Sequence, residues 1–135
     1  MTEPEVLLHR RGPVARVVLN RPERRNALSS SMLANLQAQL LAAADDAETR
    51  VVVLSGAGPA FSAGHDLREL VTAAPDHLDT VFSSCVEVMQ TISALRVPVI
   101  ARVHGVATAA GCQLVAACDL ALAANSRSEE HTSEL

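Results

Sequence analysis

Two glycine- and alanine-rich segments, residues 56–66 and 104–113, hold the residue types best suited to chemistry in this chain. Each follows an apolar run and carries few side chains large enough to cover its backbone. A ligand carbonyl could therefore approach main-chain amides there, above all at a helix N-terminus, where unpaired N–H groups point outward. If the segments met, their amides could stabilise negative charge developing on the carbonyl oxygen of a ligand.

The first segment also contains a partial dinucleotide-binding pattern. Gly56-Ala57-Gly58 follows an apolar run, as the start of G-x-G-x-x-G does in a Rossmann unit. The third glycine of that pattern would fall at position 61, which is Phe61. The dinucleotide interpretation is therefore weak.

The elements that would position these segments alternate between strand and helix. Residues 6–9 and 14–20 are β-rich and flank Gly12-Pro13, which predicts an antiparallel hairpin. Ser29 or Ser30 is a candidate N-cap for an amphipathic helix that ends near Asp45-Asp46. The apolar positions of that helix are Met32, Leu33, Leu36, Leu40, Leu41 and Ala44.

The rest of the chain repeats this alternation. The uninterrupted apolar run 50–55 predicts a strand covered on both faces of a parallel sheet. A helix is predicted over about 75–95, with Leu78, Val81, Phe82, Val88, Met89 and Ile92 in its core stripe. Further strands are predicted at 99–103 and 120–124, with a helix beginning within 107–111 and ending near 118. These predictions indicate an α/β fold.

Composition narrows the class of partner. The 135 residues carry a formal net charge of -4, and no basic cluster exceeds Arg10-Arg11 or Arg24-Arg25. This disfavours nucleic acid, including RNA, and anionic membranes as partners and favours a small molecule. No apolar stretch reaches the length of a membrane span, and no targeting segment is evident, so we expect a cytoplasmic protein. Cys85, Cys112 and Cys118 lack metal-ligand spacing and are predicted to be reduced core residues.

The last nine residues, 127–135 (RSEEHTSEL), differ from the rest. They lack periodicity and match, codon by codon, the translation of a common sequencing-library adapter. An ordinary polar tail is the alternative. We therefore predict that residues 1–126 belong to one domain and that residues 127–135 are not natural protein.

Three motifs resemble the enoyl-CoA hydratase/isomerase, or crotonase, family. They are RPERRNAL at 21–28, VVVLSGAGPAFSAGHDL at 51–67 and VHGVATAAGCQLVAACDLALAA at 103–124, and the resemblance covers residues 5–126. It implies a crotonase-like spiral of ββα units, left incomplete because the family is about twice this length. It also implies a homotrimer or hexamer for the intact protein, and an inactive half-domain that exposes an apolar sheet face.

The resemblance also implies a site. The amides of Ala63 and Ala110 would form an oxyanion hole for an acyl-CoA thioester, with the acyl chain running toward Leu70. Coenzyme A would enter as part of the substrate, with no separate cofactor and no metal. The residues expected to contact substrate or CoA are Ala60, Phe61, Ser62, Gly64, His65, Asp66, Leu67 and Gly111.

One departure from the family pattern limits the reaction that can be predicted. Gln113 occupies the place of the first catalytic glutamate, and glutamine cannot act as a general base near neutral pH. The second glutamate would fall at Ser133, within the final nine residues. Two readings stay open: an acyl-CoA enzyme of unspecified reaction, or a non-catalytic CoA-thioester binder.

Structural roles are expected for most other polar residues. His65 is predicted to be a solvated loop residue and Asp66 a helix N-cap, while His104 fits a turn and Asp119 a structural hydrogen bond. Asn26 is expected to stabilise a turn. Surface positions and contacts to CoA phosphate are equally open for Arg21 and Arg25.

Overall fold

The computed structural model describes residues 3–123 as a five-stranded sheet with helices packed on one face. The sheet order is β1-β2-β3-β5-β7, in which only β1 is antiparallel to its neighbour. A separate two-stranded sheet pairs β4 with β6. The elements are β1 (Val6–Arg11), β2 (Val14–Leu19), a 3-10 turn (Pro22–Arg24), α1 (Ser30–Asp45), β3 (Val51–Gly56), β4 (Ala60–Ser62), α2 (Leu67–Thr72), α3 (Pro75–Ala94), β5 (Val99–Val103), β6 (Val106–Ala107), α4 (Ala110–Ala117) and β7 (Leu120–Ala123).

The predicted α/β alternation is confirmed along the described chain. The β1–β2 hairpin turns at Gly12, whose φ of 59° lies in the left-handed region that glycine adopts without steric cost. Helix α1 begins where predicted, because the Ser29 hydroxyl accepts a hydrogen bond from the Met32 amide at 3.1 Å. Position 124 and the nine-residue tail lie outside the described residues.

Helices α1 and α3 pack together and supply the core on their side of the sheet. Two predicted core residues are wrong: Leu41 is 50% exposed and Phe82 is 47% exposed. Each lies on the outer edge of its helix, and smaller side chains, Ala43 and Cys85, occupy the buried stripe instead. Periodicity located the helices correctly but not the width of their buried faces.

The cysteines do not share one environment. Cys85 is buried, as predicted, whereas Cys112 is exposed, so its assignment to the core is wrong. Cys118 is partly buried, and burial together with the neighbouring Asp119 carboxylate raises the pKa of its thiol to about 12. The Cys118 thiol therefore stays protonated at physiological pH.

The two faces of the sheet differ. One face is buried, for example at Val17, Leu54 and Ala101, which are neighbours across strands. The prediction that the 50–55 strand is covered on both faces is wrong, because Val51 and Val53 are only half-buried. The row that crosses the open face is Arg16, Val53, Ile100 and Leu120.

The strand β7 continues this open surface. All four of its residues are exposed, and Leu120 and Leu122 are each 61% exposed. The described chain thus presents an apolar sheet face, as the family resemblance leads one to expect. Within residues 3–123, no helix is both long and apolar enough to cross a bilayer.

Candidate functional site

The two glycine- and alanine-rich segments meet through the small β4–β6 sheet. Ala60 pairs with Val106 and Ser62 with Ala107, in parallel. The Thr108 amide then donates to the Ser62 carbonyl at 3.1 Å, which extends the contact toward the start of α4. Sequence reasoning missed this pairing, because strands of three and two residues leave no detectable period.

Glycine is required where the segments touch. A Cβ on Gly105 would clash with the Pro59 carbonyl, and one on Gly111 would clash with the Ser62 carbonyl. The His104 ring nitrogen Nε2 also bonds to the Gly58 carbonyl. The glycines at positions 105 and 111 therefore allow the backbones of the two segments to lie in close contact.

Asn26 is the buried centre of the first segment. Its side-chain amide Nδ2 donates to the carbonyls of Ala57, Ala60 and Phe61 at 2.9, 3.0 and 3.1 Å. Its Oδ1 accepts the Arg21 amide at 2.7 Å. Asn26 is fully buried and has a φ of 53°, a conformation that asparagine tolerates better than most residues. It shapes the whole loop, a wider role than the predicted turn stabilisation.

Ser62 fixes the next part of the loop. Its hydroxyl donates to the Asn26 carbonyl at 2.9 Å and accepts the Gly64 amide at 3.2 Å. The Gly64 carbonyl in turn accepts the Leu28 amide at 2.7 Å. The backbone of residues 62–64 is therefore held in one conformation by its own side chain and by the Asn26–Leu28 segment.

These bonds determine which amides are free for a ligand. The Ala63 amide donates to the Arg25 carbonyl at 3.0 Å, so the predicted role of Ala63 as an oxyanion donor does not fit this structure. Among residues 3–123, the amides of His65 and Ala110 have no hydrogen-bond acceptor. The prediction for Ala63 failed because its amide is bonded to the carbonyl of Arg25, a residue distant in sequence, and motif spacing does not reveal such a contact.

The two free amides lie on touching segments. A Cβ added to Gly64, the residue before His65, would stand 3.5 Å from the Ala110 nitrogen. Ala110 is the first residue of α4, where the partial positive charge of the helix is concentrated. Each segment therefore supplies one free amide, as the sequence predicts. In the first segment the free amide belongs to His65 and not to Ala63.

A cavity of about 430 Å³ opens beside these residues. Both segments contribute to it, through Ala63 and His65 on one side and Ala109 on the other. The remaining wall comes from the 3-10 turn and helix α2. Its other residues are Glu23, Arg24, Ala27, Asp66, Leu67, Arg68 and Leu70.

The structure separates the predicted contact residues into two groups. His65, Asp66 and Leu67 line the cavity, as does Leu70, the predicted direction of the acyl chain. The second group is buried and is not among the residues that line the cavity, so its contact with substrate or CoA stays a prediction. The buried group comprises Ala60, Phe61, Ser62, Gly64 and Gly111.

The environment of His65 differs from the predicted solvated loop. Its ring lies edge-to-face against Phe82, with centroids 5.1 Å apart and an interplanar angle of 86°. Its Nδ1 is buried without a hydrogen-bond partner among the described residues. A buried polar atom left unpaired destabilises the fold by about 1–3 kcal/mol. Packing alone would therefore favour an apolar side chain over histidine at this position.

The charged groups around the cavity are largely engaged. Asp66 caps α2, as predicted, by accepting the Arg68 amide at 3.0 Å, and its other oxygen lies 3.4 Å from Arg24. Glu69 accepts the Ser30 amide and hydroxyl at 2.9 and 2.6 Å, which ties α2 to the start of α1. Burial raises the Glu69 pKa, but the hydrogen bonds from Ser30 and His77 outweigh it, so the pKa is lowered overall.

Two of the three remaining polar side chains have structural partners. Asp119 accepts the Val99 amide at 2.8 Å, which confirms its predicted structural hydrogen bond. The Arg21 guanidinium donates to the carbonyls of Glu3, Pro4 and Asn20, so its role is structural. Arg25 is exposed, with a φ of 54°.

Comparison with known proteins assigns the family. The model of the enoyl-CoA hydratase/isomerase family matches residues 9–132. This chain belongs to that family. The crotonase-like fold and family inferred from the three motifs are thereby confirmed.

Individual relatives narrow the assignment within the enoyl-CoA hydratase/isomerase family. The chain is 52% identical over 118 residues to "Enoyl-CoA hydratase domain-containing protein 3, mitochondrial" of Danio rerio, covering 87% of this chain and 41% of the relative. It thus spans less than half of that relative's length. The ATAAGCQLVAACDLA segment, with Gln113, is similar to that subgroup, and the match supports the similarity. The relative's name places it in the mitochondrion, so the expected cytoplasmic location is not confirmed.

Two solved structures of the family share the fold. A crystal structure of enoyl-CoA hydratase from Mycobacterium smegmatis has a TM-score of 0.86 and 50% identity, covering 90% of this chain and 48% of that one. Human enoyl-CoA hydratase domain-containing protein 3 also gives a TM-score of 0.86, with 45% identity over 89% of this chain and 48% of that one. The chain therefore corresponds to about half of each solved chain.

Gln113, at the position predicted for the family's first glutamate, lies one helical turn after Ala110. Its side chain is exposed and is not among the residues that line the cavity. A role for Gln113 in the reaction therefore stays a prediction.

Proposed function

We propose that the protein containing this chain binds an acyl-CoA thioester and polarises its carbonyl with the amides of His65 and Ala110. The observation that carries this proposal is the placement of two unpaired amides on touching segments, next to a cavity that His65 and Ala109 line. The relatives named as enoyl-CoA hydratases support the choice of a CoA thioester. The expected setting is acyl-CoA metabolism.

The amides act on the oxygen where charge develops. When a proton leaves the carbon next to a thioester, or a nucleophile adds to the conjugated double bond, negative charge moves to the thioester oxygen. Each fixed donor aimed at such an oxygen is worth about 3–4 kcal/mol of transition-state stabilisation in characterised enzymes. The Ala110 amide gains further from its place at the beginning of α4.

The cavity wall suits the two ends of an acyl-CoA. Leu67, Leu70 and Ala109 offer apolar contact to the acyl chain and pantetheine arm. Arg24 and Arg68 supply positive charge for phosphate groups, although Asp66 partly neutralises Arg24. Coenzyme A is thus part of the substrate.

Gln113 favours a second candidate, a CoA-thioester binder without catalysis. A glutamine at the glutamate position can orient a water molecule but cannot remove its proton. The same amides and cavity would then hold a ligand without converting it. The homotrimer or hexamer stays a separate prediction, to be measured by analytical ultracentrifugation.

Binding should depend on the thioester oxygen. We expect the 135-residue chain to bind butyryl-CoA about tenfold more tightly than S-butyl-CoA, the thioether that lacks the carbonyl, because two hydrogen bonds are lost. Isothermal titration calorimetry measures the difference, and circular dichroism verifies the fold. Equal affinities would contradict the proposed role of the amides.

Turnover separates the two candidates. As an enzyme, the intact protein would consume crotonyl-CoA or another acyl-CoA ester at a measurable rate, whereas as a binder it would retain the ester unchanged. Mass spectrometry of the ester after incubation distinguishes these outcomes. Brisk hydration that survives Gln113→Ala would show that Gln113 is not needed for the reaction.

A further inference from the structure

The imidazole ring of His65 has no part in the proposed carbonyl-binding role, although the residue lines the cavity. That role needs only its backbone amide, which any residue except proline would supply. The imidazole ring is a separate feature of the same residue. One nitrogen, Nδ1, is buried without a partner, and the ring is held edge-to-face against Phe82.

Packing alone does not explain a histidine here. A phenylalanine or leucine would fill the space beside Phe82 without leaving a buried nitrogen unpaired, so the histidine destabilises the fold for no local gain. Buried unpaired polar groups in folded proteins call for a reason, and a functional role is a common one. Among the described residues, the second nitrogen, Nε2, makes no hydrogen bond and is not buried, and the residue borders the cavity.

We propose that His65 Nε2 hydrogen-bonds a polar group on the acyl chain close to the thioester, which makes the site selective for β-oxygenated acyl-CoA esters. This inference rests on the proposed function. The carbonyl-binding amide and the imidazole belong to one residue. A group bound by the ring must therefore lie within one side-chain length of the thioester oxygen, near the reacting carbons rather than at the far end of the acyl chain.

The neighbouring groups leave His65 available for this contact. The other titratable side chains that line the cavity are Glu23, Arg24, Asp66 and Arg68, and Asp66 is already engaged with the Arg68 amide and with Arg24. The apolar contributions come from Leu67, Leu70 and the alanines. His65 carries both a free amide and, at the cavity, a ring nitrogen without a partner among the described residues.

Two matched ligands test the proposal. We expect the chain to bind 3-hydroxybutyryl-CoA about five- to tenfold more tightly than butyryl-CoA, the range of one added neutral hydrogen bond. His65→Phe keeps an aromatic ring for the contact with Phe82 and should abolish this preference, which is measured as the ratio of the two affinities on the same variant. His65→Gln keeps a hydrogen-bonding group on a longer side chain and should restore part of it. Calorimetry measures all three proteins.

A measurement on the unsubstituted chain avoids any folding defect of the variants. With nitrogen-15-labelled histidine, the imidazole Nε2 resonance of His65 should shift on addition of 3-hydroxybutyryl-CoA but not of butyryl-CoA. Equal affinities for the two ligands, or a preference retained in His65→Phe, would overturn the role of His65. Failure to bind butyryl-CoA at all would instead refute the proposed function.

Discussion

Replacing Asn26 with alanine should strongly destabilise the fold. The substitution removes two N–H donors, shared among three carbonyls, and one acceptor for the Arg21 amide, all in a fully buried position. Three lost hydrogen bonds with buried partners correspond to roughly 3–6 kcal/mol. Alanine also adopts the positive φ at this position with a penalty of about 1 kcal/mol.

That loss is comparable with the whole stability of a typical domain, about 5–15 kcal/mol. Urea unfolding followed by far-ultraviolet circular dichroism measures it; intrinsic fluorescence would not, because the chain has no tryptophan or tyrosine. Asn26→Gly separates the two contributions, since glycine removes the conformational penalty but not the lost bonds. It should therefore be about 1 kcal/mol more stable than Asn26→Ala.

Asn35→Ala is the matched control. Asn35 is exposed on α1, and its side chain bonds to the Ser31 carbonyl and the Glu5 carboxylate. Its replacement should change the free energy of unfolding by no more than about 0.5 kcal/mol. An Asn26→Ala protein within about 1 kcal/mol of the unsubstituted chain would refute the assignment of Asn26 as the centre of the loop.

Two further outcomes test the contact between the segments and the attachment of α2. Gly111→Ala should lower the unfolding free energy by at least about 2 kcal/mol, because its Cβ would lie 2.9 Å from the Ser62 Cβ. The control Gly12→Ala has open space around the new Cβ and should cost only about 1 kcal/mol. Similar losses for the two variants in urea unfolding would argue against close backbone contact between the segments. Because the Glu69 pKa is lowered from 4.5 on folding, its stabilisation is present above pH 4.5 and is lost as the pH falls through the folded pKa. Glu69→Gln should therefore be less stable than the unsubstituted chain at neutral pH and converge with it in acid, and a pH-independent difference would contradict the ionised bond to Ser30.

The sequence predicted those parts of the fold that depend on short-range patterns. The Gly12-Pro13 turn and the Ser29 cap each act within a few residues, so the β1–β2 hairpin and the start of α1 were found. Leu41 and Phe82 were misassigned because the pattern of a helix does not show how far a neighbour extends over it. The half-buried Val53 was misjudged because an apolar run does not show what covers the second face.

The site was predicted at the level of segments but not of atoms. The motifs located both loops and the start of α4, and Ala110 keeps a free amide. The Ala63 amide is not free for a ligand, because it donates to the carbonyl of Arg25, 38 positions earlier in the chain. Such a bond depends on the path of the chain through Asn26, whose three nonlocal acceptors no local pattern reveals.

The β4–β6 pair also bears on the order of events in folding. It joins Ala60 to Val106, 46 positions later in the chain, whereas the β1–β2 hairpin closes across a two-residue turn. Closing the longer loop costs more chain entropy before its few bonds can form. We expect the site to assemble after the hairpin and α1, so damage to it should accelerate unfolding while leaving the folding rate nearly unchanged. The contacts that shape the site would then contribute mainly to kinetic stability, by slowing unfolding.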